Sequence, residues 1–187
     1  MQGPVCGLST IESELDNPFH PNFHYDDIFG TVVSRFLVQA VSEFHLPYGK
    51  GEQTSGYLHL KDNLQYVDIA LNNPTEKRNM WILNQFTEQF SANELAERIS
   101  RVGKGMGLNV NVKSIETPRK ELEVHYYKTV HSGLLELGLE THYLTDYVKC
   151  EMPERVISHR SNIDKSKTIP RAKCRWTMVD PINETMC

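Results

Sequence analysis

The 187 residues, 39% hydrophobic and 24% charged, carry a net charge of −4. That length suits one domain, or one and a part, with a core of its own, and the charge gives no reason to expect nucleic acid or an anionic membrane as partner. No apolar run approaches the ~20 residues of a membrane helix, no basic stretch followed by an apolar core opens the chain, and Cys6, Cys150, Cys174 and Cys187 form no C-x-x-C pair, which fits reduced thiols in a reducing compartment.

The opening MQGPVCG reads as the end of a strand. Residues 8–30, with Asn-Pro, His-Pro, acidic and aromatic residues, read as a long surface loop of the kind that is often functional. A helix is predicted over 31–44, with Val33, Phe36, Leu37, Ala40 and Phe44 as its buried face and Arg35, Gln39 and Ser42 as a polar stripe. The stretch 48–62, YGKGEQTSGYLHLKD, then carries the most information. A short apolar segment, Leu46–Tyr48, meets a turn containing Gly49 and Gly51. An extended run follows from Gln53 to Leu60, and a helix opens at Asp62, a plausible N-cap. Leu64, Val67 and Leu71 fall in register on that helix. The pattern reads as a hairpin whose mouth offers backbone amides and the polar ends of Gln53 and Thr54 to a phosphate-bearing ligand. An ordinary glycine-rich turn explains the same residues.

Met80–Leu83 reads as a short strand. Ser91-Ala-Asn-Glu94 is a capping box, with Leu95, Ile99 and Val102 following at helical spacing until Gly103, Gly105 and Gly107 end the helix. Leu108, Val110 and Val112 alternate with polar residues as in a half-buried strand. A helix over 127–137 places Val130, Leu134 and Leu137 inward, with Gly138 as C-cap. The tail beyond about Arg155 is polar and expected to be loosely packed or disordered. Strands alternating with helices argue for an α/β layered fold, with residues 1–152 folded and 153–187 as the tail.

The sequence has no G-x-S-x-G, no P-loop and no G-x-G-x-x-G. His20 and His24 are split by Pro21, so they read as loop histidines rather than a helical metal pair. His125, His131 and His142 have no zinc-like spacing. Arg119 follows Pro118 and precedes EVHYY, where its fork suits a phosphate or carboxylate; an ion pair with Glu121 or Glu123 explains it equally well.

NQFTEQFSANELA (84–96), PRKELEVHYY (118–127), ELGLETHYLTD (136–146) and the 48–62 run together resemble the UDP-sulfoquinovose synthase family. This is a branch of the extended short-chain dehydrogenase/reductases, the NAD-dependent epimerase/dehydratase group. The resemblance covers about 2–146 and is to the C-terminal half of that family. It implies the last strands of a Rossmann-type sheet plus a small α/β UDP-sugar-binding domain. The family makes UDP-sulfoquinovose from UDP-glucose and sulfite for sulfolipid biosynthesis, with a tightly held NAD that takes a hydride and returns it. Its dinucleotide loop and its catalytic Thr, Tyr and Lys have no counterparts in this chain, so the resemblance assigns no catalytic residue here and implies that the chain is inactive alone. A truncated gene model, a split gene or a degraded copy would each produce it.

The resemblance does assign a substrate wall. Gln2 lies between NAD and sugar, Val5 on the cofactor side, and Arg35 at the UDP-sugar. Leu46, Pro47 and Tyr48 read the uracil, Gln53 and Thr54 stand in a Gln-Thr-Arg motif, and Arg119 is on the pyrophosphate. Ser55 replaces that motif's arginine, a charged phosphate contact of about 1.5–3 kcal/mol. Other readings are a different nucleotide-sugar epimerase or dehydratase, and a catalytically dead UDP-sugar-binding or interaction module. Expected partners are the missing N-terminal half or a second copy in a homodimer, and no nucleic acid or membrane. The expected compartment is the cytoplasm, or the plastid stroma in a photosynthetic eukaryote.

Overall fold

The computed structural model describes residues 3–8, 23–26, 29–43, 46–47, 51–80, 82–113, 130–144 and 151–168. Five strands and five helices follow in the order β1 (Val5–Cys6), α1 (Val32–Val41), β2 (Leu46–Pro47), β3 (Thr54–His59), α2 (Leu60–Asn72), β4 (Glu88–Ser91), α3 (Ala92–Gly105), β5 (Val112–Lys113), α4 (Ser132–Glu136) and α5 (Glu151–Ser158). Short 3-10 turns at Arg160–Asn162 and Lys165–Lys167 complete the described chain.

α1 begins where Thr31, in extended backbone, accepts the Ser34 N–H at 3.2 Å, the side-chain cap that a helix start requires. Val33, Phe36, Leu37 and Ala40 are buried as expected. The polar stripe is not one: Gln39 and Ser42 are buried too, because α3 packs along one side of α1 and α5 along another. Gln39 survives burial by donating from Nε2 to the Thr168 carbonyl at 2.8 Å. α3 carries the capping box in full: Glu94 N–H donates to Ser91 Oγ at 3.2 Å and Ser91 N–H to Glu94 Oε2 at 2.7 Å. Its Leu95 and Ile99 close on α1, and Met152 and Val156 of α5 join the same core. The segment 151–168 is therefore ordered structure rather than a loose tail, since Met152 and Val156, four apart, form one apolar helical face.

β1 and β4 flank β3 in a three-stranded sheet. β1 runs parallel to β3 with Val5 opposite Leu58 and Cys6 opposite His59, while β4 runs antiparallel with Thr54 opposite Ser91. β2 lies in a separate two-stranded sheet, parallel to β5, with Leu46 opposite Val112. Among the described residues the expected hairpin does not form: β2 pairs with β5, and β3 with β1 and β4. The reason lies in the connecting backbone. Gly51, at φ +66°, accepts the Asn93 N–H, and Gln53 accepts the Ala92 N–H, so this backbone docks on the start of α3 instead of folding back on β2.

Four further expectations shift. Met80–Leu83 is irregular at its described positions, with Met80 and Ile82 exposed, and the strand falls at Glu88–Ser91 instead. Strand pairing at 108–112 is limited to Val112, because Leu108 N–H is already spent closing the end of α3 on Gly103. α4 covers only Ser132–Glu136, with Leu134 buried and Val130 exposed. α2 opens at Leu60, not Asp62: His59 is the N-cap and Asp62 sits in the first turn. Leu64, Val67 and Leu71 do share one face of α2, but that face is exposed.

Candidate functional site

In parallel α/β sheets the ligand crevice lies beyond the carboxyl ends of the strands. β1 and β3 end side by side at Cys6 and His59. The start of α1 reaches the same edge, because Thr31 lies beside the Cys6 thiol. Burial pushes that thiol up to about 12, against a smaller opposing effect of the Thr31 side chain, so Cys6 is a packing group and not a nucleophile.

The edge is built around Asp62, which is fully buried. Its carboxylate accepts the Thr87 hydroxyl at 2.9 Å, the His142 N–H at 2.9 and 3.1 Å, and His142 Nδ1 at 2.7 Å. A carboxylate only accepts, so the His142 proton in this contact sits on Nδ1. The His142 ring stacks on His59 at 5.6 Å, 25° from parallel, and His59 Nδ1 accepts the Lys61 N–H at 3.1 Å. One helical turn on, Gln65 exchanges two hydrogen bonds with the Glu140 backbone, at 2.9 and 3.2 Å. Together these bonds fasten the 139–142 segment across the start of α2.

Burial lowers the His59 pKa, with the Asp62 charge opposing it. The sign follows directly. A histidine whose folded pKa lies below its unfolded value of about 6.5 binds its proton more readily in the unfolded chain. Stability is therefore expected to fall as pH drops below about 6.5, by at most ~1.4 kcal/mol per pH unit. Urea unfolding at pH 7.5 and 5.5 measures this, and His59→Gln should flatten the difference. An equal slope in the variant would exclude His59 as the source.

The assigned wall residues fall at two ends of β3. Val5 lies half-buried in β1 opposite Leu58. Arg35 sits one turn into α1, its N–H on the Thr31 carbonyl at 3.0 Å; its side chain is half-buried and in no ion pair among the described residues. Both belong to elements that reach the carboxyl-end edge. Exposed Gln53 and half-buried Thr54 lie at the opposite, amino end of β3, beside Ser91 and the capped start of α3. About 17 Å of strand separates Thr54 from His59 at the usual rise per residue. Ser55 faces Phe90 across the ladder. Leu46 and Pro47 pair with Val112 and Lys113 in the second sheet. Gln2, Tyr48 and Arg119 lie outside the described residues. Ahead of β1, Gly3 passes close to the β3 backbone: a Cβ there would lie 2.3 Å from the Gly56 carbonyl oxygen. Sequence reasoning missed Thr87, His142 and His59 as a set. The one local signal was His59-x-x-Asp62 at a strand-to-helix junction, where a polar side chain caps orphan amides.

No family model matches the chain. It is 38% identical over 181 residues to UDP-sulfoquinovose synthase, chloroplastic, of Spinacia oleracea, which is 96% of this chain and 38% of that protein. It is 34% identical over 184 residues to UDP-sulfoquinovose synthase of Sulfolobus acidocaldarius, 94% of this chain and 45% of that protein. The chain thus spans less than half the length of either relative. Its fold is that of solved epimerases. UDP-N-acetylglucosamine 4-epimerase of Methanobrevibacter ruminantium, in complex with UDP-N-acetylmuramic acid, matches with a TM-score of 0.58 at 17% identity, covering 87% of this chain and 45% of that one. UDP-glucuronic acid 4-epimerase of Bacillus cereus, in complex with UDP-glucuronic acid and NAD, matches with a TM-score of 0.54 at 16% identity, covering 84% and 44%. No helix among the described residues is long and apolar enough to cross a membrane.

Proposed function

We propose that this chain, which resembles UDP-sulfoquinovose synthase along nearly its whole length, is the UDP-sugar-binding portion of an enzyme of that kind. The complete enzyme would convert UDP-glucose and sulfite to UDP-sulfoquinovose. The observation that carries the reading is the 38% identity sustained over 181 residues, far more specific than the fold. On this reading Arg119 meets the pyrophosphate with charge-assisted hydrogen bonds, Arg35 contacts the UDP-sugar, the Leu46–Tyr48 backbone reads the uracil, and Gln53 and Thr54 supply neutral polar contacts. NAD would supply reversible hydride transfer. The residues present do not make a dinucleotide site by themselves, since the sequence has no G-x-G-x-x-G turn; Gln2 and Val5 would be one wall of it. Turnover therefore requires groups that this chain does not carry.

Calorimetric titration of the chain with UDP-glucose tests the binding half of the proposal. Saturable heat is expected, and a flat titration of folded protein would remove it. Ser55→Arg restores a charged donor and should tighten binding about 10- to 150-fold, the equivalent of ~1.5–3 kcal/mol. No gain would show that position 55 does not face the phosphates. A second reading, another nucleotide-sugar epimerase or dehydratase, is favoured by the epimerase fold. Reconstitution with a nucleotide-binding half, NAD and UDP-glucose separates the two: product formed without sulfite selects the second.

A further inference from the structure

A cavity of about 270 Å³ lies between α1 and α5, and none of the described residues assigned to the substrate wall lines it. Its apolar walls come from separate stretches of chain. Leu8 lies two residues beyond β1, Val38 is on α1 and Val156 on α5, and all three are buried. Phe23, Tyr25 and Ile163 complete the lining and are half-buried. Tyr25 is fixed in place because its hydroxyl accepts the Asp164 N–H at 3.0 Å.

The rest of the lining is polar and exposed: Arg155, His159 and Asn162. His159 Nδ1 lies 3.0 Å from the Arg155 carbonyl oxygen. A carbonyl only accepts, so the proton in this contact is on Nδ1, and in the neutral ring Nε2 is left as the acceptor. The Arg155 guanidinium has no ion pair and no hydrogen bond among the described residues. Carboxylates at this end of the fold are engaged elsewhere. Glu43 pairs with Arg160 at 2.9 Å, and Asp164 accepts the Ser166 hydroxyl at 2.7 Å and faces Lys167.

We infer that this cavity binds a small aromatic acid, one or two fused rings in size, with its carboxylate on Arg155. Three features select that class. The first is volume. An apolar cavity of ~150 Å³ takes a single benzene ring, so this one has room for a second ring. The second is lining. The apolar walls would leave the hydroxyls of a sugar without partners, at the cost of burying unsatisfied polar groups, which disfavours a sugar nucleotide. The third is charge. An unpaired guanidinium presents a planar fork that matches a carboxylate, and it repels a cationic ligand. Apolar walls with a few polar groups that fix orientation are the usual make-up of a small-molecule site. The inference stands apart from the UDP-sugar reading and does not depend on it.

The probe is 2-naphthoate, with the neutral 2-naphthamide as its twin, titrated to millimolar concentration while the methyl resonances of Leu8, Val38 and Val156 are followed. Far-ultraviolet dichroism checks that each variant is folded. Wild type should show saturable shifts, with the acid bound about tenfold more tightly than the amide. Arg155→Gln changes an exposed side chain and should bind the two probes equally. Ile163→Trp fills the cavity and should bind neither. Arg160→Gln, the control, removes an arginine that does not line the cavity and should behave as wild type. No saturable shift in wild type overturns the inference. So does equal affinity of wild type for acid and amide, or a preference for the acid that survives Arg155→Gln. Displacement of 2-naphthoate by UDP-glucose would assign the cavity to the sugar nucleotide and overturn it as well. A flat UDP-glucose titration removes the functional reading and leaves this one standing, so the two fail separately.

Discussion

Asp62→Ala is expected to lower folding stability by about 3 kcal/mol, read as a fall in the urea midpoint at pH 7.5. The carboxylate is fully buried and serves two immobile donors, the Thr87 hydroxyl and the His142 backbone N–H. Each loses its acceptor, at about 1–3 kcal/mol for a buried group left unsatisfied. The third donor, His142 Nδ1, costs less, because that side chain is 43% exposed and water replaces the carboxylate. Asp62→Asn keeps one acceptor oxygen and should cost less than alanine. Hydrogen exchange at the His142 amide should quicken in both variants as the 139–142 segment loosens from α2. A midpoint unchanged from wild type would show that this cluster does not hold the segment.

The same cluster shows where sequence reading stopped. Ser91 and Glu94 announced the start of α3 because a cap and an apolar period lie within one helical turn of each other. Local grammar of this kind needs no knowledge of the rest of the chain. Asp62 and His142 are eighty residues apart in sequence, and nothing in either neighbourhood states that they meet. Gly49 and Gly51 gave a turn, but the partner of β3 was settled by β1 and β4 rather than by β2. Periodicity correctly gathered Leu64, Val67 and Leu71 on one face. It says which residues share a side and not what covers that side, and here the covered side is the polar one. Gln39 failed for the complementary reason: it reads as surface on polarity, yet two helices pack against α1 and the Thr168 carbonyl accepts from its Nε2, while its Oε1 has no partner among the described residues. Of the assigned wall, Val5 and Arg35 sit on elements that reach the carboxyl-end edge, while Gln53 and Thr54 sit at the other end of β3. A linear list of contacts carried from a family resemblance has no means of recording that separation.

Phe36→Ala is expected to cost about 3–5 kcal/mol, the largest effect of any single substitution considered. Phe36 is 1% exposed in the middle of α1, inside the cluster formed with Leu95 and Ile99 of α3 and Met152 and Val156 of α5. Truncation removes most of the ring's transfer free energy and leaves a cavity that three packed helices cannot close without moving. Phe36→Leu refills much of that space and should cost less than about 1.5 kcal/mol. The pair separates packing from any role of the ring itself: a leucine variant as damaged as the alanine one would point to a ring-specific contact. The substitution also bears on the site, because Arg35 is the adjacent residue and its direction depends on the pose of α1. On the proposed reading, Phe36→Ala at a temperature where it remains folded weakens UDP-glucose binding, while Phe36→Leu leaves it near wild type. Unaltered affinity in a folded Phe36→Ala protein would detach Arg35 from the sugar nucleotide.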